Sequence, residues 1–331
     1  MELLQALLFI CLGAYCVIKG ADYLTRGSVM LAEHMGVSQM VIGLTIVAIG
    51  TSLPEFCVSL LSALTGQTDM AVGNVMGSNI FNTLLIVGCA ALIVPISVQR
   101  NTVRRDMPCA LLASVLLYVF ARDGQMNRWE SFLLIASGIA YIAYTVLDAR
   151  GKQKNSTSDS ANQQSGNSVQ EAQDATPDGQ VSNRSLMLFL LLGLALLPVG
   201  STLFVDGAKD LAIMLGMSEA VVGLTIVAGG TSLPELATTI VAARKGNAGI
   251  AIGNVLGSNL MNILLILGLT GIITPMRTDG ISPIDYSMLI ISMALFLIFS
   301  WTKLKIERWE GSLLTAVYLL YLSYLIIDVV K

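Results

Sequence analysis

Two glutamates stand where an apolar chain has no ordinary use for charge. The hexapeptide GTSLPE occurs twice and places Glu55 and Glu235 inside long apolar runs. A carboxylate at membrane depth is costly unless it faces a wet cavity or holds a cation. No Lys or Arg lies within 39–64 or 218–242 to neutralise either one. Oxygen donors surround each Glu instead. Thr51 is four residues before Glu55 and Ser52 three before, so a helix carries all three on one face. Pro54 lacks the N–H that the carbonyl of Gly50 would accept from, and a freed carbonyl at membrane depth is tolerated where it lines a cavity. The second copy supplies Thr231, Ser232, Pro234 and Glu235. Hydroxyls, carbonyls and carboxylates are hard ligands that suit Ca²⁺ and Na⁺, and neither motif offers the sulfur or imidazole that zinc or copper would favour.

A second pair of motifs follows each first one. GNVMGSNIFN spaces Ser78 and Asn82 by four residues, GNVLGSNLMN does the same for Ser258 and Asn262, and Asn74 and Asn254 lie one turn earlier. Gly73 with Gly77, and Gly253 with Gly257, form small-xxx-small pairs that let helices approach closely. Packing glycines and a polar, ion-facing stripe can coexist on one helix. Two glutamates give such a site a charge of −2. One Ca²⁺ cancels it, and two or three Na⁺ bring it to 0 or +1, so either load fits in turn but both together do not.

The elements that must hold these groups are membrane helices. Of 331 residues, 54% are hydrophobic and 12% charged, against about 25% charged in soluble domains, and the mean hydropathy is +0.74. A chain with so little charge cannot cover a soluble surface, and a net charge of −3 does nothing for polyanion binding; a soluble enzyme, a disordered protein and a nucleic-acid binder are all excluded. Apolar runs at 3–24, 39–64, 71–96, 107–121 and 130–148, and again at 186–214, 218–243, 249–274, 283–300 and 309–327, predict an all-α polytopic fold of ten spans. Between the sets, residues 149–184 are rich in Ser, Gln, Asn and Asp and read as a disordered linker. Cys11, Cys16, Cys57, Cys89 and Cys109 form no CxxC pair and read as small apolar residues. The lone His34 reads as a bystander at a loop edge.

The two sets are copies. Residues 43–88 align with 223–268 at a gapless offset of 180 with 26 identities in 46 positions, and the same offset carries Arg128-Trp129-Glu130 onto Arg308-Trp309-Glu310. Residues 1–148 and 185–331 are thus expected to be two five-helix repeats. With five spans each, the second enters from the opposite face, an inverted repeat whose binding site lies near the bilayer midplane. Counting loops alternately, 13 Lys and Arg fall on one side and 5 on the other, Lys19 within the first run completing the 19. The positive-inside rule places the richer side, with 149–184, in the cytoplasm and both termini outside.

GTSLPE and GNxxGSNxxN in both halves resemble the α-repeats of the Ca²⁺/cation antiporter superfamily, most closely the prokaryotic sodium/calcium exchangers of the inner membrane. The likeness is strict over about 46 residues per half and loose over the rest. It implies that spans 2, 3, 7 and 8 form the ion core and that spans 1 and 6 slide past it. It implies exchange of three Na⁺ for one Ca²⁺, with Glu55 and Glu235 as central Ca²⁺ ligands. Thr51, Ser52, Thr231 and Ser232 join through hydroxyls or backbone oxygens, with the carbonyls of Ala48 and Ala228; Ser78, Asn82, Ser258 and Asn262 complete the Na⁺ sites. Asn262 departs from members that carry Asp there, potassium-dependent exchangers among them, which argues against K⁺ co-transport. The leading expectation is electrogenic Na⁺/Ca²⁺ antiport in the export direction, with no enzyme activity, no resident cofactor and no obligate protein partner. The rivals are H⁺/Ca²⁺ antiport on the same fold and, in a different class, a cation channel. Against a channel, the chain shows no pore-loop filter sequence; against an intramembrane enzyme, it lacks GxSxG and HExxH.

Overall fold

A computed structural model describes residues 3–163, 183–217, 222, 226 and 228–330. The chain opens with α1 (Leu3–Met35), which is 33 residues long. The next run is broken: α2 (Gln39–Ile42), a π-helical stretch Gly43–Val47 and α3 (Ala48–Thr51) lead to Ser52, and α4 (Leu53–Leu64) continues at a 47° bend. Pro54 in the first turn of α4 fits there because the N–H it lacks has no helical partner in a first turn. Then come α5 (Thr68–Ile80), π-helical Phe81–Ile86 and α6 (Val87–Ile93) as one span. After β1 (Ile96–Ser97), π-helical Thr102–Asp106 runs into α7 (Met107–Ala121), and β2 (Gln125–Met126) precedes α8 (Arg128–Gln163).

The second half repeats the pattern. It consists of α9 (Asn183–Met214), α10 (Ala228–Gly230), α11 (Leu233–Arg244), α12 (Ala248–Met261), π-helical Asn262–Leu267, α13 (Gly268–Ile273), β3 (Met276–Arg277), α14 (Pro283–Lys303), β4 (Lys305–Ile306) and α15 (Arg308–Val330). Among the described residues, seven helices are long and apolar enough to cross a membrane, or eight with the bent pair taken as one span. Of the other two expected spans, α7 is only 15 residues long, and most of the first half of 218–243 lies outside the described residues. Helix α8 runs on to Gln163, into the segment read as a linker. Residues 164–182 lie outside the described residues.

The halves meet reciprocally. β1 pairs antiparallel with β4, Ile96 opposite Ile306, and β2 with β3, Met126 opposite Met276. Since 96 and 276, and 126 and 306, are related by 180, each ribbon is the repeat image of the other. Both tie a loop of one half to a loop of the other half that the alternating count puts on the same side. An all-helical reading omits these ribbons, because two-residue strands leave no periodicity.

Helices α1 and α9 pack along each other in antiparallel fashion. Gly13, Gly20 and Gly27 face α9, and their repeat mates Gly193, Gly200 and Gly207 face α1. A Cβ on Gly200 would sit 2.7 Å from the backbone nitrogen of Val17 and 2.9 Å from the carbonyl oxygen of Gly13, so glycine sets the separation. The seven-residue spacing keeps one seam facing the partner along the helix. Around the core, Leu4, Leu12, Tyr15, Leu112, Trp129, Leu191, Trp301 and Leu320 are exposed, an apolar exterior suited to lipid.

Candidate cation site

The broken helices place the GTSLPE motifs against each other. Glu55 and Glu235 are both fully buried. Ser232 Oγ donates to Glu55 Oε1 at 2.9 Å, and Ser52 Oγ donates to Glu235 Oε1 at 3.0 Å. The two contacts are repeat images, so each half orients the other's carboxylate. Ser258 Oγ adds a 3.3 Å hydrogen bond to Glu235 Oε1. Thr51 Oγ1 donates to Asn254 Oδ1 at 3.0 Å and lies 3.4 Å from Ser258 Oγ. Its neighbour Ala48 is buried, and the Ala48 carbonyl already accepts from Ser52 N at 3.0 Å. Ala228 opens the three-residue α10, and Thr231 follows it beside the cavities.

Close backbone approach makes these contacts possible. Gly253 and Gly257 of α12 lie against Met40, Gly43, Leu44 and Ala48, with hypothetical Cβ contacts of 2.6–2.9 Å. For the repeat mates Gly73 and Gly77, the images of Met40, Gly43 and Leu44 fall at 220, 223 and 224, outside the described residues. A Cβ on Gly73 would meet only Ile281 Cδ1, at 3.7 Å, and one on Gly77 would meet nothing within 4 Å among the described residues. They line a cavity of about 370 Å³ with Asn74, Ser78, Phe81, Thr231, Asp285 and Tyr321. The second copy is thus packed against the first half, and the first copy lines a cavity.

The amide ladder is also reciprocal. Asn82 Nδ2 donates to Asn259 Oδ1 at 3.3 Å, and Asn262 Nδ2 to Asn79 Oδ1 at 3.1 Å. Asn79 and Asn259 complete this ladder although motif spacing singled out Ser78, Asn82, Ser258 and Asn262, with Asn74 and Asn254, and not these two. By accepting from the amide nitrogens, they turn Asn82 Oδ1 and Asn262 Oδ1 away, and both oxygens are left buried without a partner. The signal was present, for Asn79 and Asn259 are identical across the repeat. π-Helical turns begin at Phe81 and Asn262, so these asparagines leave the regular four-residue register; such widened turns recur at functional sites. Asn74 Nδ2 bonds the carbonyl of Glu55 at 3.3 Å and Ser59 Oγ at 2.9 Å, and Asn254 Nδ2 does the same to Glu235 and Thr239 at 3.3 and 3.0 Å. These two asparagines brace the breaks. The freed Gly230 carbonyl accepts from Ser201 Oγ on α9 at 2.5 Å.

What remains is a set of hard oxygens. Glu55 Oε2, Glu235 Oε2, Ser78 Oγ, Asn82 Oδ1 and Asn262 Oδ1 are buried with no hydrogen-bond partner. Leaving such atoms unpaired costs about 1–3 kcal/mol each, a cost that a cation bound among hard oxygens would offset. No group of three or more His, Cys, Asp or Glu side chains able to hold a metal exists among the described residues. The donor set is two carboxylates plus neutral oxygens, weak in charge and open to more than one ion.

The model of the family described as sodium/calcium exchanger protein matches residues 5–147 and again 185–327, two stretches that are themselves 180 apart. The chain belongs to the sodium/calcium exchanger family. Two relatives match over nearly their whole length. The inner membrane protein YrbG of Escherichia coli (strain K12) is 37% identical over 327 residues, which cover 98% of this chain and 97% of YrbG. The sodium/calcium exchanger MaX1 of Methanosarcina acetivorans is 37% identical over 343 residues, covering 96% and 97%. Among solved structures, the sodium–calcium exchanger NCX_Mj soaked with Na⁺ and Sr²⁺ superposes with a TM-score of 0.81 at 31% identity, over 97% of this chain and 99% of that one. This member of the exchanger family is thus a multi-helix membrane transporter, and the reciprocal carboxylates sit at the meeting of its two matched halves.

Proposed function

We propose that the chain is a secondary active antiporter exchanging Na⁺ for Ca²⁺ at one site that alternates between the two membrane faces. The observation that carries this reading is the buried pair Glu55 and Glu235, one from each half, cross-linked by Ser52 and Ser232 and each left with an unpartnered oxygen. Ca²⁺ lies between the two carboxylates, with Thr51, Ser52, Thr231, Ser232 and the carbonyls of Ala48 and Ala228 around it. Na⁺ is held by the same carboxylates with Ser78, Asn82, Ser258 and Asn262. A site of charge −2 is satisfied by one Ca²⁺ or by two to three Na⁺, so one load displaces the other. Three Na⁺ per Ca²⁺ moves one net charge per cycle, worth roughly 2.3 kcal/mol per 100 mV, and a negative-inside potential then drives Ca²⁺ out.

In this reading ten helices form two inverted five-helix repeats in the cytoplasmic membrane of a prokaryote, with both termini outside. The reciprocal ribbons and the reciprocal Ser–Glu hydrogen bonds support it, since each relates the halves by a two-fold exchange. The cavity along Gly73 and Gly77, and the packing of Gly253 and Gly257 on the first half, support alternation, because exchanging the roles of the repeats would open the other route.

The test is ⁴⁵Ca²⁺ uptake into proteoliposomes loaded with Na⁺ and diluted into Na⁺-free buffer, beside a pH-gradient arm. Uptake that needs internal Na⁺ and vanishes in Glu55→Gln and Glu235→Gln is the expected result. Uptake driven by the pH gradient alone reassigns the coupling ion to H⁺, and uptake with no dependence on a counter-ion gradient favours a channel. No uptake from folded protein refutes Ca²⁺ as substrate.

A further inference from the structure

Two cavities of about 370 Å³ each reach the site. One holds Asp285 beside Gly77, Ser78 and Thr231. The other runs between α4 and α9 and holds Asp206 beside Pro54, Ser201 and Thr231. Thr231 and Val58 line both, so the cavities converge at the break in the second half. Ser78, 3% exposed, lines the first with an unpartnered hydroxyl.

The repeat makes the charge at these positions informative. Stepping back 180 residues takes Asp206 to Arg26 and Asp285 to Arg105. Each acid at one end of the molecule thus corresponds to an arginine at the other. Those arginines are neutralised. Arg26 pairs with Asp22 at 3.0 Å, Lys245 also contacts Asp22, and Arg105 pairs with Asp106 at 2.7 Å and Asp148 at 2.9 Å. At the acid end the repeat mates of Asp22, Asp106 and Lys245 are Thr202, Tyr286 and Thr65, all uncharged. Asp206 is exposed, and neither it nor Asp285 has an ion-pair partner among the described residues. Asp285 accepts from the Tyr321 hydroxyl at 2.6 Å and from Ser282 N at 3.2 Å. These neutral donors hold the carboxylate in place and leave its charge intact.

Topology accounts for arginines at the cytoplasmic end but not for the acids, because the positive-inside rule counts Lys and Arg and is nearly blind to Asp and Glu. We propose that Asp206 and Asp285 form an anionic antechamber on the extracellular face that gathers Na⁺ and Ca²⁺ before they reach Glu55 and Glu235, and that the cytoplasmic route lacks one. The inference rests on the exchange reading and its orientation. Acids in a cleft focus the field and raise the local cation concentration. That enrichment is exponential in ion charge, so its factor for a divalent ion is the square of its factor for a monovalent one.

The test is Asp206→Asn with Asp285→Asn, assayed as Na⁺/Ca²⁺ exchange in right-side-out and everted membrane vesicles. Asn preserves shape and the hydrogen bond from Tyr321. At low ionic strength the half-saturating extracellular Na⁺ concentration should rise about twofold and that of Ca²⁺ about fourfold. The difference between variant and wild type should vanish in high choline chloride, where the Debye length shrinks to a few ångströms and the wild-type acids are screened. Saturated turnover and the cytoplasmic half-saturation values should not move. Asp279→Asn, at the same end but paired with Arg277 at 3.2 Å, is the control and should change nothing. Unchanged extracellular values, equal factors for the two ions, equal shifts on both faces, or the same shift in Asp279→Asn would each overturn the antechamber. A wild-type chain that moves no Ca²⁺ in either vesicle defeats the exchange reading instead. Equilibrium ⁴⁵Ca²⁺ binding to the purified chains then decides for the acids, through a salt-sensitive loss in the double variant, or against them, through its absence.

Discussion

Gly77 and Gly257 occupy the same place in GNVMGSN and GNVLGSN, yet a methyl group should act on them in opposite ways. A Cβ on Gly257 falls 2.6 Å from the Cβ of Ala48, 2.7 Å from the carbonyl oxygen of Leu44 and 2.8 Å from the Leu44 Cα. Two of those atoms are backbone, which cannot swing aside, so α12 and the π-helical stretch after α2 must separate by roughly an ångström. Overpacking of this kind costs about 1–3 kcal/mol. Gly77 instead lines the cavity of about 370 Å³, where a methyl group finds room, and replacing Gly by Ala in a helix is worth about 0.5–1 kcal/mol in favour of folding. The variants should therefore differ by about 1.5–4 kcal/mol in the stability of this conformation. For a chain of 331 residues each kcal/mol corresponds to about 1–2 °C. Thermal unfolding of the purified proteins in detergent, followed by tryptophan fluorescence, reads the difference directly. Gly257→Ala should melt several degrees below wild type, and Gly77→Ala at or above it. If the repeats exchange roles during transport, Gly77→Ala should penalise the opposite-facing state and slow exchange despite its stability. Equal melting temperatures for the two variants, or a lower one for Gly77→Ala, would refute the asymmetry on which this reasoning stands.

Other perturbations follow from the same geometry. Asn259→Ala removes the oxygen that accepts from Asn82 Nδ2 at 3.3 Å and the amide that donates to Thr83 Oγ1 at 2.7 Å; with Asn82 free to turn, half-saturating Na⁺ should rise about five- to tenfold, a loss of about 1 kcal/mol, in Na⁺-dependent ⁴⁵Ca²⁺ flux. Arg105→Ala strands Asp106, which is 1% exposed, and should destabilise the chain by about 2–4 kcal/mol in detergent melts, whereas an unchanged melt would mean that Tyr141, at 3.1 Å, suffices to hold the carboxylate. Ser201→Ala deprives the Gly230 carbonyl of its donor and should cost about 1 kcal/mol, with Ser201→Thr retaining most of it; equal loss in both would assign the effect to packing. Ca²⁺ at about a hundred times its dissociation constant should stabilise the wild type by about 2.7 kcal/mol, and Glu235→Gln should abolish that shift in the same melts.

Much of this protein could be read from its residues in order. Membrane composition is a property of the chain alone, because a bilayer selects long apolar runs whatever their packing. The gapless 180-residue offset is likewise linear information, and the matched stretches 5–147 and 185–327 share it. The buried glutamates followed from cost: a carboxylate without a nearby base in an apolar run needs a reason, and both prove fully buried. Tertiary structure had to decide the rest. Which Ser serves which Glu is a contact across 183 and 177 residues, invisible to spacing within one helix. The orienting roles of Asn79 and Asn259 depend on amides from the opposite half, and the π-turns at Phe81 and Asn262 depend on how those amides are satisfied. The packing at Gly257 is the sharpest case: a heptapeptide does not show which backbone lies against its glycine, and only the approach of Leu44 and Ala48 from the other half decides it.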